Sequence, residues 1–290
     1  MTALETFTAH RERLFGIAYR MLGSVHDAED LLQEAYIRWE RAGGDAVENP
    51  RAFLCTMVTR MSIDALRSAR RQRESYVGDW LPEPLAAEAL PSETAALADS
   101  LSTAFLLLLE RLSPPERAAL LLREVFGYAY PEVAEVLGKT EANCRQLVRR
   151  ARARARVPHG RFTPDPAEHA QLLANFMAAT RGGDPDVLLA FLAEGATLRS
   201  DHGGKASAAR RPLHGARNIA KFFAGIMRRF VPDDFSTRIT TINGAAGVIA
   251  YAGGQPITAF TFDIEDGTIT AIYVIRNPDK LRHLPPEGSR

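Results

Sequence analysis

The chemistry-bearing residues with the clearest spacing lie in YPEVAEVLGKTEANCRQLVRRARARAR, which runs from Tyr130 to Arg156. Thr140, Glu141, Asn143, Arg145, Gln146, Arg149 and Arg150 share the outward side of one predicted helix. Amides and a carboxylate near its start suit base edges in a major groove, and arginines toward its end suit phosphates. Between Arg145 and Arg161 there are seven arginines and no acid, a density that repels itself unless a polyanion balances it. The alternative is an ordinary helical hairpin with a solvated basic end, and the charge run argues against it. A second group, Asp201, His202, Asp263 and Tyr273, has the residue types of a general-base site. Asp201 and His202 are adjacent, however, and neighbours on an extended strand point apart. The glycines after them explain the run as a loop equally well, so no catalytic residue is expected.

The elements that must position these groups follow from hydrophobic spacing. Val133, Ala134 and Leu137 form the apolar face of a short helix. Gly138 sits where a helix end needs left-handed geometry, and Thr140 supplies a capping oxygen for the next helix. There Cys144, Leu147 and Val148 turn inward. Upstream, the chain reads as all helical to about Tyr76. Phe7, Leu14, Ile17, Ala18 and Met21 recur at helical spacing. Another helix begins at Ser24 to Asp30, with Asp27, Glu29 and Asp30 favourably placed in its first turn, and continues through Leu31, Leu32, Ala35, Tyr36 and Trp39. A third starts at Asn49-Pro50, turns Phe53, Leu54, Met57, Val58, Met61, Ile63 and Leu66 inward, and ends in a basic run with Arg67, Arg70, Arg71 and Arg73.

From Ser75 to about Leu97 periodicity dissolves, and Trp80-Leu81-Pro82-Glu83-Pro84 reads as a linker whose tryptophan suggests a docking contact. Beyond residue 168 the pattern becomes mixed. Helices are predicted at 168–180, 184–194 and 216–229, and strands at 196–200, 235–243, 247–252, 257–264 and 268–276. Asp266-Gly267 marks a two-residue hairpin. Helices followed by antiparallel strands predict an α+β sheet curled around its helices.

Net charge is only +1 over 290 residues, so affinity for DNA must come from local clusters. The two cysteines, Cys55 and Cys144, exclude a disulfide framework and a cysteine zinc site and fit a reducing cytoplasm. The longest apolar run, Ala104 to Leu109, is too short to span a membrane. No cofactor and no metal are expected.

GSVHDAEDLLQEAYIRW, NPRAFLCTMVTRMSIDALRSARRQRE and LSPPERAALLLREVFGYAYPEVAEVLGKTEANCRQLVRRARAR resemble, in order, two parts of region 2 and then region 4 of the sigma-70 family. The compact extracytoplasmic-function (group 4) type is indicated, because nothing between Tyr76 and Leu112 resembles region 3. Residues from about Ala167 to Leu284 resemble the SnoaL-like domains. Trp80 to Pro84, Asp201-His202-Gly203-Gly204-Lys205 and Asn277 to Leu281 resemble motifs of a subgroup carrying that extension. The subgroup has glycine where this chain has His202. A left-handed φ there would cost histidine about 1 kcal/mol.

The resemblance implies a multidomain fold: all-α region 2 and helix-turn-helix region 4 domains, then an α+β SnoaL-like domain with a cone-shaped curved sheet. Its boundaries are region 2 at 1–75, a linker at 76–98, region 4 at 99–158 and the regulatory domain at 167–290. The implied function is promoter-specific initiation of transcription in the cytoplasm, modulated by the C-terminal domain. The partners are core RNA polymerase, through its beta and beta-prime subunits, and promoter DNA. Asp27, Asp30, Gln33 and Glu34 would bind core polymerase. Arg60, Asp64, Arg67, Arg70, Arg71 and Arg73 would serve the minus-ten element. Thr140, Glu141, Asn143, Arg145, Gln146, Arg149 and Arg150 would serve the minus-thirty-five element. Trp80, Leu81, Pro82, Asp201, His202, Gly203, Gly204, Lys205, Asn277, Pro278, Asp279 and Lys280 would form a regulatory contact. The alternative is a helix-turn-helix transcription regulator whose C-terminal domain binds a small unidentified ligand.

Overall fold

The computed structural model describes residues 2–44, 47–86, 100–155, 166–229 and 232–288. They form two compact units. The first comprises the described residues of Met1–Ser75, Pro91–Leu101 and Phe105–Gly160, the second those of Tyr76–Leu90, Ser102–Ala104 and Arg161–Arg290.

The first unit opens with α1 (Ala3–Leu22), α2 (Val25–Arg41) and α3 (Pro50–Glu74). Thr2 and Glu5 close a capping box on α1, and Gly23 ends it at φ 69°, the left-handed geometry that glycine adopts without penalty. Ser24 caps α2 through the Asp27 amide. Leu14, Ile17, Ala18 and Met21 of α1, Leu32, Ala35 and Trp39 of α2, and Leu54, Val58 and Leu66 of α3 are buried. Each large side chain among them contributes about 1.5–3 kcal/mol.

Phe53 departs from its predicted inward position. It is 39% exposed, its ring set against Trp39 at 5.7 Å between centroids. Helix α3 also packs on more than one side, against α1, α2 and two later helices. Cys55, Thr59 and Ser62 are therefore buried with the apolar residues, which a single-stripe reading does not anticipate.

The same unit continues with α4 (Thr103–Leu109), α5 (Pro114–Leu120), a π turn (Leu121–Val125), α6 (Tyr130–Leu137) and α7 (Glu141–Ala155). Residues Thr103 and Ala104 at the start of α4 cluster with the second unit. Ser113 and Glu116 form the capping box of α5.

In the second unit, α8 (Pro166–Gly182) is followed by α9 (Pro185–Leu188), β1 (Leu192–Asp201), β2 (Leu213–His214), α10 (Ala216–Arg229), β3 (Ser236–Ile242), β4 (Ala245–Ala252), β5 (Gln255–Glu265) and β6 (Thr268–Ile275). The helix predicted for 184–194 is α-helical to Leu188, continues as a 3₁₀ turn over Leu189–Phe191, and stops there because Leu192 is claimed by pairing with Ile269. The sheet runs β2-β1-β6-β5-β4-β3. It is not wholly antiparallel: β1 lies parallel to β6, allowed by the long crossover through α10 and the β3–β5 meander. Asp266 and Gly267 turn β5 into β6 at φ 49° and 71°, as their residue types predict. Asn243 and Gly244, at φ 53° and 76°, make the same two-residue turn between β3 and β4. Strand prediction through Asn243 overlooked that Asn-Gly signal.

The helix-facing side of this sheet is filled by aromatic rings. Phe176 of α8 packs edge-on to Phe223 of α10 and to Phe262 of β5, at 5.5 and 6.2 Å. Leu198, Val248, Ile272 and Val274 complete that core. Among the described residues no helix is long and apolar enough to cross a membrane.

Candidate polymerase and promoter surfaces

Helices α2 and α3 enclose an open groove of about 440 Å³, lined by Leu22, Asp27, Asp30, Leu31, Glu34, Arg38, Met61, Asp64, Ala65 and Ser68. Apolar side chains form its floor and carboxylates its rim, a combination that suits a basic, partly apolar helix from a partner. Asp27, Asp30 and Glu34 from the expected polymerase-binding set line it, and Gln33 is exposed on the same helix. Asp64, expected on the minus-ten side, lines this groove as well, where it pairs with Arg67 at 2.9 Å. Sequence reasoning missed Arg38, which pairs with Glu34 at 2.8 Å. An i,i+4 acid-base pair on the helix was the available signal.

At the basic end of α3 the arginines divide. Arg67 is exposed, and Arg70 and Arg71 lie on the helix with side chains outside the described residues. Arg73 is engaged within the unit: it pairs with Glu110 and donates to the Leu22 carbonyl. Arg117, 1% exposed, donates to the other Glu110 oxygen at 2.7 Å, to the Met21 carbonyl at 2.7 Å and to the Leu109 carbonyl at 2.9 Å. Burial alone would raise the Glu110 carboxyl, but Arg117 and Arg73 outweigh it and hold it below the usual carboxylate range. Arg60 donates from Nε to the Val136 carbonyl at 2.8 Å and from Nη2 to the Glu135 carbonyl at 3.0 Å.

The helix-turn-helix is built as its residue types require. Gly138, at φ 60°, donates to Glu135 and Lys139 donates to Ala134, at 3.2 and 3.0 Å. This pair of bonds is a Schellman closure. Val133 and Val136 are the buried residues of α6, so Val136 carries packing that had been assigned to Ala134 and Leu137. In α7, Cys144, Val148, Ala151 and Ala155 are buried. Thr140 accepts from the Asn143 amide at 3.3 Å and so acts as the helix cap. Asn143, Arg145, Gln146, Arg149 and Arg150 are exposed together. The Arg145 guanidinium is held twice, paired with Glu141 at 3.0 Å and set over the Tyr130 ring at 4.8 Å. Two further arginines of the charge run are paired internally: Arg152 with Glu124 and Arg154 with Glu116, both at 2.7 Å. Arg156 lies outside the described residues.

In the second unit, residues 76–86 form a strap against the sheet. Its anchor is Asp201, fully buried at the end of β1. One carboxylate oxygen accepts from the Tyr76 hydroxyl at 2.5 Å, the other from the Leu81 amide at 2.9 Å and from Lys280 Nζ at 2.7 Å. Burial and then the bond to Asp201 push the Tyr76 phenol well above its ordinary range. Lys280 also donates to the Leu81 carbonyl and lies 4.3 Å from the centre of the Trp80 ring. The Asn277 amide donates to Tyr76 at 2.8 Å, while its carbonyl caps the Asp279 amide. Further along, Leu85 exchanges hydrogen bonds with Asn243.

The expected regulatory set is thus gathered within one unit. Pro82 is buried with Leu81, and Lys205 pairs with Asp279, holding its carboxyl below the usual range. Pro278 opens a short 3₁₀ turn through Lys280. His202 escapes the strain expected of it: Gly203 and Gly204 take the left-handed turns, at φ 55° and 72°, and histidine does not. Its Nδ1 accepts from the Gly204 amide. Asp201 and His202 do not act as a pair. Asp263 and Tyr273 are bonded to each other at 2.8 Å.

Residues 6–72 match the Sigma-70 region 2 family and residues 102–154 the Sigma-70 region 4 family. The ECF RNA polymerase sigma factor SigJ of Mycobacterium tuberculosis is 38% identical over 301 residues, spanning 98% of this chain and 95% of its own. The probable ECF RNA polymerase sigma factor SigI of the same species is 30% identical over 284 residues, spanning 96% and 94%. The crystal structure of SigJ matches with a TM-score of 0.75 at 33% identity, over 96% of this chain and 97% of that one. The likeness therefore takes in the C-terminal sheet as well as the helices. With two sigma regions in order and identity sustained across nearly the whole chain, this protein belongs to the extracytoplasmic-function sigma factors, its promoter-directing helices followed by a SnoaL-like domain.

Proposed function

We propose that this sigma factor docks core RNA polymerase through the α2–α3 groove, reads the minus-thirty-five element with α7, and engages the minus-ten element along α3. The carrying observation is the separation of charge within the first unit. Carboxylates Asp27, Asp30, Glu34 and Asp64 rim the groove, whereas Arg149 and Arg150 stand exposed on α7 with Asn143 and Gln146. An acidic groove repels DNA and suits a basic protein helix; a basic helix with amides does the reverse. Asp64 accordingly belongs to polymerase docking. The C-terminal domain is a regulatory module that holds the 76–86 strap, within the cytoplasm where core polymerase acts. Transcription in vitro with purified core enzyme tests the scheme. Asp27→Lys with Glu34→Lys should abolish co-elution with core and leave promoter-fragment binding intact. Arg149→Ala with Arg150→Ala should reduce the salt slope of promoter binding by about two. Loss of neither property would refute the assignment.

A further inference from the structure

The second unit carries a charge pattern that the promoter-reading helices do not account for. From His202 to Pro232, 31 residues hold seven lysines and arginines and no acid. The whole chain has a net charge of only +1, so the remainder is net negative and positive charge is concentrated here. Lys205 is spent on Asp279, and Arg228 donates to the Gly183 carbonyl at 3.4 Å. Arg210, Arg211, Arg217 and Lys221 are exposed and make no ion pair among the described residues. Asp184, Asp186 and Glu194, on or beside elements packed against α10, are exposed as well and leave those four cations unpaired.

Helix α10 arranges this charge in a line. Ile219, Ala220, Phe223 and Ala224 are its buried residues and fix which side meets the sheet. At about 100° per residue, Arg217, Lys221 and Arg228 fall within about 40° of one another, a stripe about 16 Å long. Arg210 and Arg211 lie just before β2, which leads through Gly215 into α10. The backbone therefore keeps Arg211 within about 17 Å of the helix start. The placement works against the helix itself. Arg217 stands in a first turn that holds no acid, where the dipole repels a cation, and Arg217 with Lys221 is an i,i+4 pair of like charges. A counter-charge from outside the chain removes both penalties.

The residue types say which polyanion fits. Phe222 and Phe223 are turned against the core, so the stripe offers no ring on which an unpaired base could stack. Asn218, the one amide of α10, is bound to the His214 carbonyl at 2.8 Å and is not offered to base edges. What remains is charge alone, in a line. Duplex DNA carries about one charge per 1.7 Å of axis, or about nine along the stripe. It meets the cations at any register, whereas an acidic protein would need a carboxylate placed for each. We propose that the α10 face of the SnoaL-like domain grips the phosphate backbone of duplex promoter DNA flanking the sequence-read elements, adding affinity that is blind to base sequence. This goes beyond the roles of α3 and α7 and requires only that promoter DNA is what the chain works on.

The test uses the full-length chain bound to core polymerase, with long duplex fragments that carry either a promoter or a scrambled sequence. Arg210→Gln, Arg211→Gln, Arg217→Gln and Lys221→Gln together should lower the salt slope of binding by about three to four, at about 0.9 per phosphate contact. Affinity at 0.1 M salt should fall by about tenfold or more, equally on both fragments. Arg210→Lys, Arg211→Lys and Arg217→Lys keep the charge and should keep the slope. An unchanged slope in the glutamine variant, or a lost slope in the lysine variant, overturns the inference. So does a glutamine variant that releases core polymerase while its DNA slope stands, which would assign the stripe to an acidic protein. If Arg149→Ala with Arg150→Ala lowers the slope and the α10 variant does not, only this inference fails. A photoactivatable crosslinker on Lys221→Cys gives a second reading that does not depend on the glutamine variant folding. Cys55 and Cys144 are buried, which directs the reagent to the new thiol. Crosslinks to duplex DNA in the promoter complex are expected, and crosslinks to polymerase alone, or none, overturn the proposal.

Discussion

Replacing Lys280 by methionine isolates what holds the strap. Lys280 Nζ and Asp201 Oδ2 are 2.7 Å apart, with side chains 7% and 0% exposed. Removing one partner of a buried ion pair costs about 3–5 kcal/mol, because the remaining charge is left uncompensated. Methionine keeps the stem's volume but forfeits the bond to the Leu81 carbonyl and the cation over Trp80, the latter worth about 0.5–2 kcal/mol. Leu81 supplies a local reporter. Its amide donates to the Asp201 oxygen that Lys280 also contacts, so its hydrogen exchange measures the opening of the strap. At about 1.4 kcal/mol per tenfold, a penalty of this size should speed exchange at Leu81 by about two to four orders of magnitude.

The Leu85 amide, bonded to Asn243 at 2.6 Å, tells whether the whole strap detaches or only its Trp80 end. The double variant Asp201→Leu, Lys280→Met removes both charges. By the asymmetry of buried pairs it should recover most of the loss, whereas independent effects would add. Two results would refute the reasoning: a single variant whose Leu81 exchange rises less than about threefold, equivalent to under 1 kcal/mol, or a double variant that exchanges faster than either single one.

Acid should loosen the first unit. Glu110 and Glu116 both have folded carboxyl values held below the ordinary range; burial opposes this and is outweighed by Arg117 and Arg73 in one case and by Ser113 and Arg154 in the other. Depressed folded values mean that the unfolded chain binds protons first. Their stabilisation is therefore complete above the unfolded value near 4.3 and is lost as pH falls through the folded ones. Denaturation followed from pH 6 to pH 3 should show that slope, and Glu110→Gln should flatten it. In the loop after β1, Gly203→Ala places a Cβ 2.4 Å from Asn277 Nδ2 at a φ of +55°. It should lower the melting temperature of the full chain through a loss of about 1–3 kcal/mol. His202→Gly, at a position that needs no left-handed backbone, should instead lose about 0.5–1 kcal/mol through added unfolded-state freedom.

What was legible in the chain was what one segment dictates to itself. The α1 stripe of Leu14, Ile17, Ala18 and Met21, the left-handed Gly138 and the Asp266-Gly267 turn each depend on residues a few positions apart, and each is found. Phe53 was misplaced and Val136 passed over because their burial depends on how many neighbours α3 and α6 have, which local periodicity does not encode. The parallel pairing of β1 with β6 depends on a crossover of more than sixty residues between Asp201 and Thr268, beyond any pattern window. The bonding of Arg60 was the least legible feature. Arg60 has the composition of a phosphate contact, and its acceptors are backbone carbonyls 75 and 76 residues away. Every residue carries such a carbonyl, so no residue type announces it. An arginine that bonds to carbonyls and one that grips phosphate share one sequence signature, and only geometry separates them.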